Sequence, residues 1–241
     1  MKTILGACLS AAVVTAAPGV PAQVFAQTGR SIVETYFFDK DPPSGALIFQ
    51  ERTDLEGTAL SLATGSPYTH VGIIRITGGG PYVMQSSAAT HGVAEIPLED
   101  FIDVGVDRKF AIYVTKTDLR PAGQLNSPAS LKAYDYDHLP YDSFYRLDSH
   151  AIYGAELIFK IFKDIGLPIG TLRKIGELNF DTEPGRKFLL NDWRERPECR
   201  SRELSRQGCW DRIKTEAVVT PKDLADDRNL ELYMTTFDVG E

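Results

Sequence analysis

His70 is the residue of this chain best placed to move a proton. It stands in Tyr68-Thr69-His70-Val71-Gly72-Ile73-Ile74, at the head of a β-branched run that predicts a strand. An imidazole on the end of a strand is a base on a rigid platform. Gln85, in Tyr82-Val83-Met84-Gln85, follows on a predicted partner strand. Its amide oxygen can accept from an imidazole but carries no charge. What the pair lacks is a nucleophile. Ile152-Tyr153-Gly154-Ala155-Glu156-Leu157-Ile158 lies near the start of a predicted helix, and Gly154 has no side chain. Ser149, five residues earlier, points elsewhere from a helix start. Taken singly, each residue also has a purely structural role. His70 fits a hydrogen-bonded, half-buried histidine, Gln85 a partner for backbone, and Tyr153 a core ring. Gly154 fits a packing glycine, at a helix cost of about 1 kcal/mol, and Glu156 a solvated or capping carboxylate. His91, His138 and His150 read as surface residues, and the four histidines form no metal-ligand spacing with the cysteines. No metal and no cofactor are expected.

The elements that must hold these residues divide the chain in two. Residues 46–50 read as a short strand, 55–63 as a helix with Leu55, Ala59, Leu62 and Ala63 on one face, and 71–76 as a strand. Strands follow from residue 82, over 92–96 and over 109–115, with a helical turn at 97–102. The second half is more helical. A helix over 127–136 has Ser127 as its cap and Pro128 at its first position. The next runs from a cap at Asp148 or Ser149 to about Asp164, with Leu157, Ile158, Ile161 and Phe162 on its apolar face. Residues 183–193 form another, and 218–221 and 230–237 are strand-like. A strand-rich half followed by a helix-rich half gives an α+β fold.

The 241 residues, 43% hydrophobic and 24% charged, suit one globular domain over 27–241. A net charge of -7 argues against nucleic acid, which needs clustered Lys and Arg. The densest basic stretch, 194–212, is interleaved with Glu195, Glu198, Glu203 and Asp211 and reads as a solvated mixed-charge loop. Residues 1–26 carry the pattern of a secretory signal peptide: Lys2, an uncharged apolar run from Ile4 to Val20, and Val24-Phe25-Ala26 before Gln27. The expected location is therefore periplasmic or secreted, without an integral membrane segment in the mature chain. Cys199 and Cys209, close in sequence in an exported chain, are expected to form a disulfide.

The two segments at 68–74 and 152–158 together resemble the active-site segments of the permuted papain-like amidases, the YiiX-like cysteine hydrolases. Further motifs follow in order. Gly45-Ala46-Leu47-Ile48-Phe49-Gln50 is similar to the family's opening Gly-Asp-Leu-Ile-Phe-Gln strand. Tyr82-Val83-Met84-Gln85 is similar to a segment ending in glutamate. Tyr141-Asp142-Ser143-Phe144 is similar to the run before the cysteine, and Val218-Val219-Thr220-Pro221-Lys222-Asp223-Leu224 to a late Val-Thr-Pro run. The likeness covers most of 45–225. It implies an antiparallel sheet or half-barrel packed on helices, and an amide-containing substrate: a peptidoglycan peptide, a lipid amide or a small peptide. It implies His70 as the base, Gln85 as the orienting group, residue 154 as the nucleophile position, and Tyr68 and Tyr153 as substrate-binding neighbours. Gly154 stands where the family has cysteine and Gln85 where it has glutamate, so catalysis is expected to be impaired. The alternatives are a hydrolase or acyltransferase that uses a serine with His70, and a non-catalytic envelope binding protein.

Overall fold

A computed structural model describes residues 36–37, 42–117, 124–147 and 149–238. Eight strands and seven helices follow in order: β1 (Leu47–Gln50), α1 (Leu55–Thr64), β2 (His70–Thr77), β3 (Gly80–Ser87), β4 (Gly92–Pro97), α2 (Leu98–Asp103), β5 (Phe110–Thr115), α3 (Pro128–Lys132), α4 (Gly154–Asp164), β6 (Arg173–Lys174), α5 (Glu183–Leu189), α6 (Arg206–Ile213), β7 (Ala217–Val218), α7 (Pro221–Ala225) and β8 (Leu230–Thr235). Six strands make one antiparallel sheet in the order β4-β3-β2-β1-β5-β8, and β6 pairs with β7 separately. This is the expected α+β architecture.

The sheet is covered on both faces, which explains why β2 is apolar at nearly every position. Val71 and Ile73 join a large core with Leu60, Leu157, Ile158 and Ile161. Ile74 and Ile76 face the other way, onto Leu98, Phe101 and Ile102 of α2. The apolar face expected for α4 is buried as the sequence indicates, with Leu157, Ile158, Ile161 and Phe162 all at 0% exposure. α1 is caught by Asp54, whose side chain accepts from Gly57 N, and stopped by Gly65 at φ 64°.

Several boundaries differ from the pattern in the sequence. Leu55 and Leu62 are exposed, because α1 turns Ala59, Leu60 and Ala63 to the core instead. The helix begun by Ser127 and Pro128 stays α-helical only to Lys132 and continues as a 3₁₀ turn to Tyr136. The helix at 183 ends at Leu189, short of 193. The segment from 218 contributes only a two-residue strand before Thr220 caps α7. The segment at 194–212 is not simply a loop: it contains most of α6, whose N-terminus is capped by Ser205 accepting from Gly208 N at 3.0 Å. Only Cys209, Trp210 and Ile213 of α6 are buried, too few for the apolar period to show through the charges.

Cys199 and Cys209 are joined, with Cα atoms 5.2 Å apart. The bond ties the turn before α6 to α6 itself. Replacing both cysteines by serine is expected to cost about 2–3 kcal/mol, as for a short closed loop. The chain purified without reductant is expected to weigh two hydrogens less than the reduced one. Intact mass spectrometry and a urea titration check both statements. The signal-like residues 1–26 and Asp148 lie outside the described residues. No helix among the described residues is long and apolar enough to cross a membrane.

Candidate functional site

His70 begins β2 because its neighbour Thr69 is already in the ladder. Thr69 N donates to Gln50 O at 3.0 Å, and Thr69 Oγ1 accepts from Arg52 N at 2.7 Å. The imidazole is almost fully buried, 5% exposed, and stacks on Phe101 with ring centroids 5.6 Å apart. Gly72 leaves the space that Phe101 fills. A Cβ there would meet Val83 Cγ1 at 2.3 Å and Phe101 Cε2 at 3.3 Å. His70 Nε2 donates to Gln85 Oε1 across the sheet. That bond leaves the Nδ1 lone pair free, the tautomer a general base requires.

Nδ1 faces residue 154. A Cβ built on Gly154 lies 3.7 Å from His70 Nδ1, 3.6 Å from its Cε1 and 3.2 Å from Ser86 O. A side-chain atom one bond further out is within hydrogen-bond reach of the imidazole. Gly154 is the first residue of α4, not the sixth past a cap: the chain from Ser149 to Tyr153 is extended or turning, so the first helical amides point at this spot. Three bonds fix that approach. Ser86 Oγ donates to Ile152 O at 2.6 Å, Ile152 N to Pro140 O at 2.8 Å, and Tyr153 N to Glu156 Oε2 at 3.3 Å.

The structure therefore brings His70, Gln85 and residue 154 together. It does not bring Tyr68 or Tyr153 to the same opening. The Tyr68 ring packs with Phe49, Tyr113 and Phe237 at 5.4–6.0 Å, whereas the His70 ring stacks on Phe101. Tyr153 is fully buried. Its hydroxyl accepts from Val219 N at 3.1 Å, and its ring stacks on Tyr145 at 4.1 Å. It braces the helix start and contacts no open space. Ser149 Oγ donates to Ala151 O at 2.6 Å and lies 3.0 Å from Asp142 Oδ2, locked in its own turn. Exposed positions at His91, His138 and His150 agree with the sequence.

What opens in front of His70 is a cleft of about 40 Å³, lined by Arg52, Asp54, Glu56, Gly57, Thr69, His70, Ser87, Ala88 and Ala89. At about 10–15 Å³ each it has room for about three or four waters. Sequence reasoning missed Arg52 and Glu56, which sit in a loop and a helix start with no motif. Glu56 accepts from Tyr141 Oη at 2.5 Å and from Tyr145 Oη, and burial pushes its carboxyl up from the usual range. Burial and the Arg52 guanidinium hold the His70 imidazole down to about 3, so it is neutral at physiological pH.

Glu156, read from sequence as a solvated or capping carboxylate, does cap but is fully buried. Burial outweighs Lys160 and the Tyr153 amide and raises its carboxyl to about 7. A folded pKa raised above the unfolded one gives stability that is full below about 4.3 and lost as pH rises through about 7. Glu156→Gln keeps an acceptor for Tyr153 N and is expected to flatten this limb. Urea midpoints compared at pH 5 and pH 8 check it, and an unchanged slope would contradict it.

With this geometry in hand, the comparisons with known proteins are decisive on one point. Residues 41–234 match the family described as permuted papain-like amidase enzyme, YaeF/YiiX, C92 family. The chain belongs to the permuted papain-like amidases. It is 26% identical over 152 residues, 63% of this chain and 73% of the relative, to the uncharacterized protein YiiX of Escherichia coli strain K12. It is also similar in fold to a crystal structure described as the metalloprotein yiiX of Escherichia coli O157:H7. That likeness has TM-score 0.62 and 23% identity, covering 82% of this chain and 99% of the other. Among the described residues of this amidase-family member, no group of three or more His, Cys, Asp and Glu side chains could hold a metal ion.

Proposed function

We propose that this protein is an exported permuted papain-like amidase that keeps the family's cleft for amide-containing ligands and has lost the attacking atom. The observation that carries the reading is the emptiness at residue 154. The helix amides, the Nδ1 lone pair and the orienting amide of Gln85 converge on a position whose Cβ is absent. Its ligands are short peptides, peptidoglycan peptides or lipid amides, and binding replaces turnover. Removing a nucleophile costs about 10⁶ in rate where measured, and the neutral Gln85 gives an imidazolium no further support.

A serine reading has one structural point in its favour. Ser87 lines the cleft with His70, although its hydroxyl is shared with Thr90 Oγ1 at 2.9 Å. A fluorophosphonate probe separates the two readings. No labelling and no turnover of acetylated peptides, with His70 resonances shifted by the same peptides, are expected. Stoichiometric labelling of Ser87 would replace this reading by a serine hydrolase. Iodoacetamide without reductant is expected to leave any activity intact, since Cys199 and Cys209 are bonded.

A further inference from the structure

Arg52 offers the cleft a charged edge that the reading above leaves unused. It follows β1 in the short loop into α1, and the loop is tight because residue 57 is glycine: a Cβ there would meet Arg52 O at 2.2 Å. The guanidinium is half-buried and pinned on one side. With the Gln50 amide oriented to satisfy its neighbours, its oxygen accepts from Arg52 Nε at 2.6 Å and Nη2 at 2.7 Å, while its nitrogen donates to Phe101 O at 2.6 Å. The other edge of the fork, Nη1 with the second hydrogen of Nη2, has no protein acceptor among the described residues. The remaining buried arginines are engaged otherwise. Arg75 pairs with Glu95, and Arg196 donates to Leu189 O at 2.9 Å and Phe144 O at 2.7 Å. Among the described residues Arg52 makes no ion pair within 4.0 Å, yet it lines the same opening as His70.

The acidic neighbours are already committed. Asp54 accepts from Gly57 N at 2.7 Å, and both oxygens of Glu56 accept from tyrosine hydroxyls. Neither closes on the guanidinium. A rigid fork with one free edge, beside room for a few heavy atoms, is matched by a carboxylate taken bidentately. We propose that Arg52 is the receptor for a free carboxylate borne next to the amide group of the ligand, so that the cleft takes the C-terminal residue of a peptide or an N-acyl amino acid. This deepens the amide-cleft reading and rests on it.

The test uses the full chain and four small probes: N-acetylglycine, its uncharged counterpart N-acetylglycinamide, butyrate, and glycine methyl ester as a cation. Calorimetry is expected to show N-acetylglycine binding about tenfold or more tighter than each of the others, as a charged hydrogen-bonded pair requires. The carboxylate also offsets the field of Arg52 at His70, so the imidazole pKa is expected to rise on binding. Arg52→Gln is expected to remove both effects. Arg52→Lys, which keeps charge without the fork, is expected to keep the His70 response and lose most of the affinity, and serves in its own right if the glutamine variant does not fold. Equal binding of acid and amide, equal binding of butyrate, preference for the cation, or full affinity in Arg52→Lys would each overturn the assignment. The amide-cleft reading is judged separately: N-acetylglycinamide that still shifts His70 leaves it standing when the carboxylate proposal falls.

Discussion

Gly154→Cys combined with Gln85→Glu is expected to turn residue 154 into a reactive thiolate. The Cβ at 154 already stands 3.7 Å from His70 Nδ1 and 3.2 Å from Ser86 O, so a cysteine enters with a small shift of the carbonyl. Two features act on the single variant. Helix-start amides favour the thiolate, and so does the Arg52 guanidinium across the cleft. Against them stands His70, whose imidazole burial holds at about 3 and which therefore lends no positive charge. The single variant is thus expected to fall only modestly below the free-thiol value of about 8.5. A glutamate at 85 would accept from Nε2 with a full charge and stabilise imidazolium. The double variant is expected about one to two units lower, roughly five- to tenfold more thiolate at neutral pH, where the gain saturates. The measurement is the pH dependence of iodoacetamide alkylation at residue 154, with His70→Ala as control in each background. Values near about 8.5 that ignore both His70 and Gln85→Glu would show that the three positions do not act together.

Phe101→Ala carries the second large effect, because this one ring serves both the core and the site. It is fully buried, stacks on His70 and fills the space above Gly72. Truncating such a phenylalanine typically costs about 3–5 kcal/mol, and Phe101→Leu should cost less. The removal also lets water reach the imidazole, so the His70 pKa is expected to climb from about 3 towards about 6.5. The sign for stability follows. A histidine held neutral in the fold contributes stability that is present above about 6.5 and lost as pH falls through about 3, opposite in sense to Glu156. Phe101→Ala should therefore be less stable everywhere but lose less on acidification. A urea titration and a histidine resonance titration test the two halves. A loss under about 1 kcal/mol with an unmoved His70 would refute the dual role.

The strands around His70 and Gln85 were readable because their side chains alternate or run apolar over several residues, and those patterns survive in one sequence. Residue 154 could be placed by likeness to a family, but its position at the first turn could not. The chain from Ser149 to Tyr153 is held by Asp142 and Pro140 in the preceding turn and by Ser86, 66 residues earlier, tertiary contacts that leave no pattern in the sequence. Arg52 and Glu56 were invisible for the same reason. Glu56 is held by Tyr141 and Tyr145, more than 80 residues away, and Arg52 by a side-chain bond to Gln50 that no motif marks. Tyr68 and Tyr153 lie beside motif residues in the chain but pack elsewhere: Tyr68 precedes β2 and joins the core around Phe49, and Tyr153 is buried at the helix start. α6 escaped notice because three buried side chains among Arg206, Gln207, Asp211 and Arg212 leave no period to detect.

The pairing of β5 with β8 sets the order in which the chain can fold. Ile112 lies opposite Met234, while β1, β2 and β3 are joined by near neighbours in sequence. The hairpins that carry His70 and Gln85 can form while most of the chain is still being made, but the last strand arrives only at its end. Closing a loop of that length is entropically slow and is repaid only at the finish. Until then β5 presents a bare edge, the kind that pairs with other chains. Until β8 docks, that edge is the part of the sheet most open to pairing with other chains, and a chaperone that shields strand edges would act there.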